Sequence, residues 1–149
     1  MRRAIAVLIS FALLATGWAD TARAGLEEID YATYDARVTD VKGIATDLTG
    51  FGHATGPNVL MGYRGEAEVD IPFRLIRAVE VGDYVPENRR APVKVILRSG
   101  KSVAIEIDNI EEMRLLRGRA EFGEYRIRFG KIRTLELFAL SHTDRSLRE

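Results

Sequence analysis

The stretch Ile71-Pro72-Phe73-Arg74-Leu75-Ile76-Arg77-Ala78-Val79-Glu80-Val81 decides the fold, because it returns as Ile127-Arg128-Phe129-Gly130-Lys131-Ile132-Arg133-Thr134-Leu135-Glu136-Leu137. The shared pattern is Ile-x-Phe-x-x-Ile-Arg-x-(Val/Leu)-Glu-(Val/Leu), at an offset of 56 residues. Glu68 and Glu124 keep that offset, as do Val69 and Tyr125. Val69, Ile71 and Phe73 alternate, which places them on one face of a strand. Two residues then pass before Ile76, and the alternation resumes at Val79 and Val81. The pattern predicts a strand, one short turn or 3₁₀ step, and a second strand, twice over. Pro72 suits an edge or end position, since it has no N–H to give to a ladder.

Other runs fit around this unit. Val93 to Arg98, then Ser99-Gly100-Lys101, then Ser102 to Ile107 reads as a β-hairpin with Val103, Ile105 and Ile107 inward. In the first half, Tyr34 to Val41 and Ile44 to Leu48 form the matching hairpin. Val59 to Tyr63 and Met113 to Gly118 are further strands. The segment Leu26 to Tyr34 suits a short helix or an extra strand equally. Loops are expected at Gly50 to Asn58, the most glycine-rich stretch, and at Gly82 to Pro92 between the halves. The expectation is an all-β domain over residues 25–140, a small barrel or two-sheet sandwich of two similar β halves (about 36–81 and 93–137). A flexible tail, 141–149, follows.

The N-terminus reads as an address. Arg2 and Arg3 precede the apolar run Ala4 to Ala15, and Ala22-Arg23-Ala24 offers small residues to a signal peptidase. A cleaved N-terminal signal helix, 1–24, is therefore expected, giving a periplasmic or secreted protein. The apolar run is shorter than the roughly 20 residues a spanning helix needs, so no transmembrane segment is expected in the mature chain. With no cysteine among 149 residues, disulfides, thiolate metal sites and lipoprotein acylation are excluded. The mature chain keeps 19 basic against 21 acidic residues, a balance that argues against a nucleic-acid partner.

The chemistry-bearing candidates are few. His53 lies in the glycine-rich stretch near Asp47, and its ordinary reading is a solvent-exposed loop histidine; two histidines cannot supply a usual zinc site. His142, Asp144 and Ser146 hold the letters of a hydrolase triad in a tail with nothing to fix their geometry. The Gly50 to Gly56 segment lacks the Lys-Ser/Thr ending of a phosphate loop. Phe51, between glycines, can anchor a partner from a loop tip, but a large apolar ring more often folds back onto the core. Asp108, Asn109, Glu111 and Glu112 cluster without EF-hand spacing, and a solvated turn is the default. Arg126 and Arg128 alternate with apolar neighbours and share an outward face. With Arg114, Arg117, Arg119, Lys131 and Arg133 they form a basic stripe that can meet an anionic surface, although interleaved glutamates allow simple cross-strand pairing.

The phrase Gly118 to Phe129, followed by Lys131-Ile132-Arg133-Thr134-Leu135-Glu136, resembles a β-repeat of uncharacterised exported bacterial proteins, with Arg98-Ser99-Gly100-Lys101 matching its hairpin. The likeness covers residues 93–137 well and 36–81 loosely. It implies a small β-domain and carries no catalytic residues. The resulting expectation is a non-enzymatic binding or interaction module of the bacterial periplasm or cell envelope, needing no cofactor. Its partner would be an envelope protein or anionic surface component, met through Phe51, His53, Arg126 and Arg128. The alternatives are a small hydrolase using Asp47, Glu66 or Glu68, and a structural part of an envelope assembly.

Overall fold

The computed structural model describes residues 30–110 and 115–140. The expected signal peptide, the triad letters of the tail, and Glu111 and Glu112 fall outside them. Strand residues dominate what is described: β1 (Tyr34–Asp40), β2 (Ala45–His53), β3 (Val59–Arg64), β4 (Ala67–Pro72), β5 (Ile76–Val81), β6 (Arg90–Leu97), β7 (Ser102–Asp108), β8 (Leu115–Ala120), β9 (Gly123–Arg128) and β10 (Ile132–Leu140). The corners between β4 and β5 and between β9 and β10 are 3₁₀ turns, Phe73–Leu75 and Phe129–Lys131. Each begins with a fully buried phenylalanine and closes with a hydrogen bond from the next isoleucine N–H, Ile76 or Ile132, to that phenylalanine's carbonyl. Two residues are spent turning, so the apolar phase shifts while the side chains still face one interior.

Period-two patterning accounts for the strands. In β6, Ala91, Val93 and Val95 are buried while Pro92 and Lys94 are exposed. Val103, Ile105 and Ile107 turn inward on β7, as their spacing predicts, the first of them only partly buried. One hydrophobic cluster gathers the inward side chains of both halves, including Tyr34, Phe51, Phe73, Phe129, Leu60 and Leu116. Burying each large apolar side chain contributes about 1.5–3 kcal/mol, so the core is the main stabilising element of a chain without disulfides.

All ten strands form one antiparallel sheet in the order β4-β3-β7-β6-β5-β10-β1-β2-β8-β9. The order has a symmetry of its own. Elements β1–β5 and β6–β10 run in the same sequence, and the order reads alike from either end when each strand is exchanged for its counterpart. The hairpin β1–β2 does not sit beside β3–β4 of its own half. It pairs through β2 with β8, and β7 in turn pairs with β3. The two halves are thus interleaved, with β5 against β10 at the centre.

The first hairpin departs from its counterpart for a local reason. Tyr34 pairs with Phe51 and Ala36 with Leu48, while Thr49 pairs with Arg119 and Gly52 with Arg117. Both ladders show one extra residue in β2. Gly50, at φ 62°, supplies it, as a β-bulge with a left-handed glycine does. The β6–β7 pair runs without a shift. Gly50 to His53 therefore belongs to strand β2 and not to a loop, which corrects the expectation for that segment. The bulge re-aims Phe51 into the core, where it has 0% exposure. Phe51 folds back and is withdrawn as a contact residue.

Candidate functional site

His53 closes β2 inside a buried polar cluster. The Asp30 carboxylate, itself buried, accepts hydrogen bonds from the Tyr34 hydroxyl (2.6 Å), the Arg74 N–H (2.9 Å) and the Ala32 N–H (3.1 Å). Buried Asn58 donates to the Ala32 carbonyl and accepts from the His53 N–H (2.6 Å). Gly52 is required here: a Cβ on it would lie 2.7 Å from the Asn58 Oδ1. The His53 Nε2 stands 3.1 Å from the Val59 carbonyl, and its ring packs against Phe73 at 5.3 Å. Burial, with the adjoining Asp30, raises the Tyr34 pKa well above the ordinary tyrosine value. His53 is thus half-buried and engaged in fixing the β2–β3 connection, rather than a solvent-exposed loop residue. Among the described residues no three His, Cys, Asp or Glu side chains gather to hold a metal ion.

Arg126 and Arg128 do share an outward face, on β9, an end strand of the sheet. On the neighbouring β8, Arg117 and Arg119 share that outward face, with Arg119 across from Glu124 and Leu115 across from Arg128. Arg117 is directly across from Arg126, a like-charge pairing that costs sheet stability. Arg126 is bridged to Glu124 at 2.8 Å. Among the described residues, Arg117, Arg119 and Arg128 have no ion-pair partner. The two-residue turn between these strands, Glu121–Phe122, holds out Phe122, 79% exposed. Sequence reasoning missed Phe122, although an aromatic in a hairpin turn beside an arginine stripe was the available signal.

The equivalent hairpin of the first half has another character. Met61 is across from Asp70 and Tyr63 from Glu68. Nearby, Arg90 is satisfied: its guanidinium contacts Asp108 at 2.7 Å and Glu106 at 3.1 Å and lies over the Tyr63 ring at 4.7 Å. Asp108 is therefore committed to Arg90, which removes it from the acidic cluster considered for calcium.

A search against protein-family models and a search of curated proteins each found no match. The site therefore rests on geometry. The hydrolase carboxylates illustrate it. Asp47 makes a two-point ion pair with Arg37, at 2.7 and 3.1 Å. That hydrogen-bonded guanidinium holds the Asp47 pKa below its usual value, the opposite of what a general acid needs. Glu68 lies on β4 and Glu66 in the turn before it, on the far side of the strand order from Asp47. Asp47 lines a shallow outer groove with Asp35, Arg37, Thr49, Arg119 and Phe138. The Asp35 Oδ1 is enclosed there and has no hydrogen-bond partner among the described residues.

Proposed function

We propose that this chain is an exported, non-catalytic binding module of the bacterial periplasm or cell envelope, and that its contact surface is the β8–β9 hairpin. The observation that carries the reading is the facing of Arg117 and Arg126 on a sheet whose fold does not require it. The counterpart positions hold Met61 and Asp70, which do not repel. Four outward arginines beside a strand edge that no described strand covers suit an acidic protein segment added as a further strand. Main-chain pairing would give affinity and the arginines specificity. Phe122, held clear of the core, extends the apolar part of that contact. The halves are read as copies of one ancestral unit, and residues 1–24 as the discarded signal. No helix among the described residues is long and apolar enough to cross a membrane.

The test uses a labelled synthetic peptide of alternating glutamate and valine, followed by fluorescence anisotropy. Binding should weaken as salt rises. It should fall at least about tenfold in the Arg126→Glu/Arg128→Glu variant, as loss of complementary charge predicts. Equal binding by that variant and the wild type would overturn the reading.

A further inference from the structure

The two ends of the sheet are open edges of opposite charge, and we infer that they pair with each other between copies of this chain. The inference rests on the same β9 edge as the proposed contact surface and names a partner for it. Among the described residues β4 pairs with β3 alone and β9 with β8 alone. The Phe73 N–H donates to the Asn58 carbonyl at 2.9 Å, which sets the phase of the β3–β4 ladder. Antiparallel main-chain groups alternate sides, so those of Glu68 and Asp70 point away from β3. The Ala54 N–H donates to the Leu115 carbonyl at 2.9 Å, so Leu115, Arg117 and Arg119 bond toward β2. By the same alternation, Glu124, Arg126 and Arg128 on β9 point away from β8.

One antiparallel register satisfies both edges. Asp70 lies opposite Arg126 and Glu68 opposite Arg128 on the outer face. Val69 lies opposite Ile127 and Ile71 opposite Tyr125 on the inner face. Those four already pack, partly buried, against the core. Pro72 falls opposite Glu124, where only its carbonyl is asked to take part. Sliding two residues one way sets Asp70 against Glu124, and the other way sets Arg126 against Pro72. Pairing like edges sets Asp70 on Asp70 at β4, and at β9 sets Arg126 on Arg126 or, in the neighbouring register, Tyr125 on Tyr125 with Arg126 across from Glu124. The opposite-edge register thus combines two opposite-charge pairs with two apolar pairs and has no repulsive contact. Because the edges sit on different surfaces, the contact is heterologous and propagates past a dimer unless its rotation closes a ring.

Sedimentation velocity over a range of concentrations tests this, with circular dichroism confirming that each variant is folded. The wild type should form species larger than a monomer, with salt shifting it back. Glu68→Arg/Asp70→Arg and Arg126→Glu/Arg128→Glu should each associate at least about tenfold more weakly, and mixing the two should restore assembly. A wild type that stays monomeric while still binding the acidic peptide would overturn self-pairing and leave the contact surface standing. Loss in the arginine variant alone would also overturn it, since that marks pairing of β9 with β9.

Discussion

The β3–β4 and β8–β9 hairpins occupy equivalent places in the two halves, yet one presents Glu66, Glu68 and Asp70 and the other Arg117, Arg119, Arg126 and Arg128. Their inward residues agree in kind: Leu60 and Leu116, Phe73 and Phe129, and Ile76 and Ile132 are all buried. Inward positions are set by the shared core, while outward positions are free of it and carry the difference in charge. The proposed contact thus draws on a layer of side chains that folding does not constrain.

The corners test the shared layer most severely. Phe73→Ala and Phe129→Ala should each lower unfolding free energy by about 3–5 kcal/mol, measured by chemical denaturation. A much smaller loss at one corner would show that the halves do not bear on the core alike. Next comes the cluster peculiar to the first half. Asn58→Ala leaves the His53 N–H and the Ala32 carbonyl without their partner and should cost about 1–3 kcal/mol. Gly52→Ala, which drives a methyl into Asn58, should destabilise similarly, by about 1–3 kcal/mol.

Tyr34 sharpens the same contrast through pH. Its folded-state pKa is raised, so its stabilising contribution is full below the ordinary value near 10 and is lost as pH climbs beyond it. Tyr34→Phe should cost about 1 kcal/mol at neutral pH and flatten the alkaline decline. The smallest effect belongs to Arg37→Gln. The lowered Asp47 pKa means a contribution present above the ordinary aspartate range that fades as pH falls. Both partners are solvated, so the denaturation midpoint at neutral pH should scarcely move.

Much of this fold was legible in the sequence. The strand, corner and strand unit announced itself through the phase change between Phe73 and Ile76, because a short turn must offset a period of two. The hairpin at Ser99-Gly100 was equally plain. The bulge was not, since Gly50 looks like loop punctuation until its neighbours are paired; Phe51 and His53 were assigned to a loop with it, although the burial of the Phe51 ring was the expected outcome. The interleaving of halves was also hidden, because a local pattern names a strand but not its partner across the chain. At the candidate site, Arg126 and Arg128 were legible from alternation. The opposition of Arg117 to Arg126 depends on hairpin register, and the polar grip on His53 on contacts between distant segments such as Asp30 and Asn58.

The central claim is that an acidic partner segment is received by the arginine-bearing hairpin. Amide chemical-shift mapping of the ¹⁵N-labelled protein, titrated with the glutamate–valine peptide, addresses it residue by residue. The account predicts shifts concentrated between Leu115 and Phe129, strongest at Glu124, Arg126 and Arg128. Shifts centred on β3–β4, or spread evenly over the sheet, would contradict it.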